Sequence, residues 1–149
     1  MAVNVARDSF NLQVEEVHEG CQYTFIYSGY RAALTHWGAV TSIFRWHNET
    51  VNIWTHLLPF LVSIPVMVYV FATLLKAYGA NQWEVAMFAF STLGIEALSL
   101  CSSLYHTMGC VSLECTSYPS KFDYTAIAVK IVCGGTPLLY TAFICSAGR

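Results

Sequence analysis

Residues 57–75 are almost wholly apolar, and two further runs of the same kind follow at 85–105 and 124–145. Counted from residue 51, the first run reaches 75 with only a few polar positions at its start. A hydrocarbon core of ~30 Å takes about 20 helical residues, so each run is long enough to cross it. Backbone groups in lipid must be satisfied within the segment, which predicts α-helices. None of the three keeps the polar outer face that a soluble surface helix needs. The predicted fold is therefore all-α, a polytopic transmembrane bundle. Pro59 and Pro65 predict kinks in the first helix, and Gly134, Gly135 and Pro137 predict a break or bend in the third.

Ahead of the first run, Leu34, Trp37, Val40 and Phe44 recur at spacings of three to four, with His36, Thr41 and Arg45 between them. That period predicts a short amphipathic helix on the membrane surface. Residues 1–27 show no period and are expected to be weakly ordered, which leaves 28–149 as the membrane part. Composition agrees: 56% of residues are hydrophobic and 11% charged, whereas a soluble domain carries roughly 25% charged residues. A net charge of −2 excludes nucleic acid as an expected partner and leaves membrane lipid.

Arg7, Arg31, Arg45 and Lys121 fall on one side of the predicted spans, Lys76 and Arg149 on the other. The excess places the N-terminus in the cytoplasm. The first thirty residues hold no basic start followed by an apolar stretch, so no cleavable signal peptide is expected. In that orientation the sequon Asn48-Glu49-Thr50 goes unused. Cys110 and Cys115, in one loop on the cytoplasmic side, should be reduced thiols.

Polar residues gather at the ends of the apolar runs. Glu49, Asn52 and His56 stand at i, i+3 and i+7 and share one helical face. Such groups are costly against lipid, so that face should turn toward other helices. Asn48 is placed to cap the helix start. Capping and packing is one role for the set; a direct chemical role is the other. Ser102 and His106 stand at i and i+4, and Asp123 opens the third run. Consecutive spans run antiparallel, so His106 and Asp123 should meet at one membrane boundary. A His with a carboxylate is what a zinc site uses, directly or through water, although a packing His reads the same in sequence. A site built from His106, Cys110 and Cys115 is a further arrangement, made awkward by Gly109 and the uneven spacing. Glu96 and Lys130 lie deep within apolar runs, where an ionisable group is a functional candidate or a neutralised or snorkelling one.

Four stretches in order carry a resemblance: SGYR at 28–31, HNETVNIWTHLL at 47–58, SSLYH at 102–106 and FDYTAI at 122–127. Together they resemble the progestin and adipoQ receptor family, which includes adiponectin and membrane progestin receptors and is related to hemolysin III. The resemblance implies a seven-helix bundle with a cytoplasmic N-terminus and a zinc ion near the cytoplasmic boundary. By motif, His106 matches a zinc-binding His. Asp123 matches an Asp reaching the metal through water, and Ser102 the Ser beside it. The Glu49, Asn52 and His56 face matches a supporting element at the start of helix one.

Two departures stand out. Ala126 replaces a usual Gly, and no H-x-x-x-H pair occurs, although the family's last helix carries one. With three spans before Arg149, the resemblance implies a partial member: a fragment, a truncated product or a piece that needs another chain. The implied function is that of a membrane receptor coupling a steroid, sphingolipid or protein hormone to intracellular signalling. A zinc-dependent lipid amide hydrolase, with Ser102 or Asp123 orienting a zinc-activated water, and a non-catalytic membrane scaffold are the alternatives.

Overall fold

A computed structural model describes residues 9–144, with residues 113–119 described in backbone only. Four helices follow in order: α1 (His36–Ser42), α2 (Thr50–Ala77), α3 (Gln82–Met108) and α4 (Leu113–Ile144). Three segments, Thr50–Ala77, Gln82–Met108 and Ser120–Ile144, are long and apolar enough to cross a membrane. The protein is an integral membrane protein with an all-helical fold. Little of these spans is buried within the chain. Their outer faces are Leu, Ile, Val and Phe, as hydrocarbon requires.

α3 is the middle helix and packs on α4 and, less extensively, on α2. Its contact with α4 is close because of Gly94. A Cβ built there would stand 2.5 Å from Cys133 Cβ and 3.2 Å from Lys130 Cα. Ala126 and Cys133 are the buried small residues of α4. Small side chains let membrane helices approach, where van der Waals packing replaces the hydrophobic effect as the driving force.

Local chemistry sets the helix starts. Thr35 Oγ1 accepts from the Gly38 amide at 3.1 Å and begins α1. Asn81 begins α3 with a capping box: its side chain accepts from the Trp83 and Glu84 amides, and Glu84 accepts from the Asn81 amide. α2 differs from expectation, because its N-cap is Glu49 and not Asn48. The Glu49 side chain makes no cap bond. Thr50 Oγ1 closes the turn instead, accepting from the His47 amide and donating to the Arg45 carbonyl.

Helix continuity bears on the sequence expectations. The helical pattern of α2 runs through Pro59 and Pro65 and departs from α geometry only at Val70–Leu74, which is π-helical. α4 passes Gly134, Gly135 and Pro137 without a break. In lipid no water competes for the carbonyls that a proline frees, so the helix is the cheapest path available. Thr136 Oγ1 also donates to the Val132 carbonyl in that stretch. α4 begins at Leu113, ahead of its membrane-spanning part Ser120–Ile144, so Asp123 stands at the start of the span as expected while lying in the third turn of the helix. At 1.5 Å per residue α4 is roughly 48 Å long, more than the hydrocarbon thickness, and only Ser120–Ile144 of it is apolar enough to cross.

Residues 9–34 fold onto the end of the bundle where α2 starts and α3 finishes. Leu12 and Tyr30 exchange backbone hydrogen bonds, and the Leu34 amide reaches the Cys110 carbonyl at 3.1 Å. Gly29, with φ +84°, makes the turn that offers its carbonyl to the Asn48 amide at 2.8 Å. Tyr30 is buried, and its hydroxyl accepts from the Tyr23 amide and donates to the Ile26 carbonyl.

Candidate functional site

The start of α2, the end of α3 and the third turn of α4 share one boundary, which brings Glu49, His106 and Asp123 to the same end of the bundle. Glu49 is buried at 5% exposure. Its Oε2 accepts from His106 Nδ1 at 2.9 Å and from Asn52 Nδ2 at 2.8 Å. Burial alone would raise the Glu49 carboxyl. Hydrogen bonds from His106, Asn52 and Tyr23 outweigh it and hold the group at about 2. The carboxylate is thus charged and fully engaged, and it fixes His106 with its proton on Nδ1. In a neutral ring so held, Nε2 would carry the lone pair, the form of imidazole that binds a metal.

His56 stacks on His106, with ring centroids 6.2 Å apart and planes inclined by 16°. Asp123 lies near both His56 and Tyr105. Asp123 Oδ1 is buried with no hydrogen-bond partner. Ser102 lies one turn before His106 on the same helix and is buried at 2% exposure. All six sequence-derived positions therefore lie at one end of the bundle. The direct partner of His106 is Glu49, and Asp123 lies near His56. Among the described residues no group of three or more His, Cys, Asp and Glu side chains is placed to hold a metal. The Cys115 side chain lies outside the described residues, and with it the arrangement of His106, Cys110 and Cys115.

Arg31, of the SGYR stretch, holds this end together. Its guanidinium is buried and donates to the His106 carbonyl at 2.6 Å, the Thr107 carbonyl at 2.9 Å and Ser42 Oγ at 3.0 Å. The last carbonyls of α3 have no partner within the helix, and a cation there also complements the helix dipole. Burial lowers the Arg31 pKa, opposed by the nearby Cys110, Glu49 and Tyr23.

His47 completes the support. Its Nδ1 accepts from the Glu49 amide at 3.1 Å, and its Nε2 donates to the Ser42 carbonyl at 3.1 Å. Burial pushes the imidazole down to about 4, with the Arg31 charge adding to the effect. A neutral ring is what this donor-and-acceptor role requires.

A cavity of about 240 Å³ lies between residues 12–33 and the end of α3. Tyr23, Arg31, Glu49, Tyr105, His106 and Cys110 are among the residues that line it. The Tyr23 hydroxyl is hydrogen-bonded to Glu49 and Tyr105; burial first, and the Glu49 charge second, push its pKa well above the ordinary value. Tyr23, Arg31, His47 and Tyr105 had no role assigned from sequence. Arg31, His47 and Tyr105 each sit in a recognised stretch, which was the one signal available; Tyr23 does not.

Comparison with known proteins agrees with the architecture. The family profile described as "Haemolysin-III related" matches residues 44–149. The chain is 38% identical over 122 residues to the adiponectin receptor protein of Drosophila melanogaster, covering 81% of this chain and 27% of that protein. It is 30% identical over 123 residues to progestin and adipoQ receptor family member 3 of Homo sapiens, covering 82% of this chain and 40% of that protein. It is also 28% identical over 130 residues to heptahelical transmembrane protein 1 of Arabidopsis thaliana, covering 82% and 38%. The chain thus spans less than half the length of these relatives.

Proposed function

Because this chain belongs to the haemolysin-III-related family, we propose that it forms part of a membrane receptor of the adiponectin and progestin receptor type. In this reading the N-terminus is cytoplasmic, and the shared end of the three spans holds part of a zinc site. His106 Nε2 is one ligand, and Asp123 reaches the metal through a water. Ser102, Asn52 and His56 pack around them, and Glu49 orients the His106 ring.

The observation that carries this reading is the pairing of a metal-ready imidazole with an orphaned carboxylate oxygen. His106 has its Nδ1 proton committed to Glu49. Asp123 Oδ1 is buried without a partner. A buried unsatisfied carboxylate oxygen is costly unless a water, ion or further donor meets it. These residues fit a zinc ion in part: a closed zinc site takes three or four protein ligands, and the described residues place two donors. The remaining donors come from outside them. A bound zinc would act as a Lewis acid there, while the chain's own part is to hold the His106 ring fixed.

Metal analysis tests the proposal. The purified 149-residue chain should carry well under one zinc. Joining to it a C-terminal segment with an H-x-x-x-H pair should raise the content toward one, and His106→Ala should abolish the gain. Stoichiometric zinc in the chain alone, or a gain that survives His106→Ala, would sink the assignment. The orientation has its own check: in secretory cells the Asn48 sequon should stay unglycosylated, and a mobility shift lost in Asn48→Gln would reverse the topology.

A further inference from the structure

Glu96 and Lys130 play no part in that site. They differ in setting. The Lys130 backbone packs against Gly94, while its side chain lies on the exposed outer face of α4. Glu96 turns the other way, toward α2, where Ser63 Oγ contacts its Oε1. Ser63 lies thirteen residues after Thr50 and fourteen before Ala77; Glu96 lies fourteen after Gln82 and twelve before Met108. Both are at the centre of their spans, roughly 20 Å from either helix end.

The donor count at Ser63 decides where a proton resides. The hydroxyl stands 3.0 Å from the Phe60 carbonyl as well as against Glu96 Oε1. A serine has one proton to give. Hydroxyls elsewhere on α2 and α3 spend theirs on the carbonyl three residues back: Thr55 on Asn52, Thr92 on Ala89 and Ser103 on Leu100. If Ser63 does the same, the contact with Glu96 is a hydrogen bond only if Glu96 is the donor. The second oxygen gives the same answer. Glu96 Oε2 is buried and has no partner. A carboxylate there would leave a charged oxygen bare in hydrocarbon, whereas a carboxylic acid leaves a neutral carbonyl.

Among the described residues no cation faces the group. Residues 59–67 of α2 and 92–95 and 97–100 of α3 contain no ionisable side chain. From α4, Lys130 and Cys133 approach α3 at Gly94, a different face of the helix.

We propose that Glu96 is a proton-binding site at the middle of the membrane. The acid donates its O–H to Ser63 Oγ, and Ser63 donates its own to the Phe60 carbonyl. The ligand is the proton, and the site bonds α2 to α3 while it is held. Loss of the proton puts a charge in hydrocarbon, which is relieved only by opening the α2–α3 contact to water. Proton binding and helix packing are therefore coupled at this point.

Infrared spectroscopy of the whole chain in lipid vesicles at pH 7.5, with glutamate 13C-labelled at the side-chain carboxyl, tests this. The wild type should show a carboxylic-acid C=O band that moves on labelling. Glu96→Gln should remove the band while the helical amide bands stay, since the amide is isosteric and can also donate to Ser63. Ser63→Ala should keep the band but shift it upward, toward a free acid, because the acceptor is gone. Absence of a labelled acid band in the wild type would overturn the proposal, as would its survival in Glu96→Gln. Should Glu96→Gln fail to insert, the Ser63→Ala shift decides alone: a band that does not move refutes the contact.

Discussion

Replacing Arg31 should loosen the end of the bundle more than any other single change at the surface of the cavity. The guanidinium makes hydrogen bonds of 2.6, 2.9 and 3.0 Å to the His106 and Thr107 carbonyls and Ser42 Oγ. Hydrogen bonds to a charged group are each worth about 1.5–3 kcal/mol net. The simple sum overstates the loss, because the two carbonyls end a helix and can recruit water once the side chain is gone. Breaking a buried charged interaction typically costs about 3–5 kcal/mol, and that is the expected penalty for Arg31→Met. Arg31→Lys keeps the charge but not the planar fork that reaches two carbonyls and a hydroxyl together. Its cost should be smaller, about 1–3 kcal/mol. Hydrogen exchange in detergent or nanodiscs reads the effect locally. The Leu34 amide, bonded to the Cys110 carbonyl, and the Gly109 amide, bonded to the Tyr105 carbonyl, are the reporters. At about 1.4 kcal/mol per tenfold, Arg31→Met should speed their exchange by roughly 100-fold or more. Amides at the far end, such as those capped by Asn81, should be unaffected. Unchanged protection of Leu34 and Gly109 in Arg31→Met would refute the idea that Arg31 ties residues 9–34 to the end of α3.

Two other outcomes follow from the packing. His47 is held at about 4 against an ordinary 6.5, so the unfolded chain takes up its proton first as pH falls. Its contribution is fully present above about 6.5 and is lost down to about 4, amounting to about 3 kcal/mol. Thermal unfolding followed by tryptophan fluorescence should show a loss over that window that is reduced in His47→Gln; parallel curves would count against it. At the α3–α4 contact, Gly94→Ala places a Cβ against Cys133 Cβ and the Lys130 backbone and should destabilise by about 1–3 kcal/mol. A denaturant titration in mixed micelles would measure this, and an unchanged midpoint would show that the helices can part at no cost.

The three spans were legible in the sequence because lipid leaves the chain little choice. A run of about 20 apolar residues must form a helix that satisfies its own backbone. The same constraint keeps α4 continuous through Gly134, Gly135 and Pro137, where the sequence allows a break or a bend, since a break does not open where no water can fill it. The amphipathic segment was legible in kind but is shorter than its hydrophobic period, seven residues at His36–Ser42. Trp37 and Phe44 are exposed, while Ala39 and Ser42 are the residues buried against the bundle. Glu49, Asn52, His56, Ser102, His106 and Asp123 could be picked out because polar groups are expensive at a membrane boundary. Which of them pair could not. Glu49 and His106 are 57 residues apart in the chain, and nothing in local spacing distinguishes that partner from Asp123. The roles of Tyr23, Arg31 and His47 were hidden as well, although Arg31 and His47 stand in recognised stretches. Their side chains bond to groups in other segments, backbone carbonyls for Arg31 and His47 and the Glu49 and Tyr105 side chains for Tyr23, and such bonds leave no period in the sequence. The bilayer, acting residue by residue, set the helices; only the packing of three helix ends against a strip of irregular chain decided what stands next to His106.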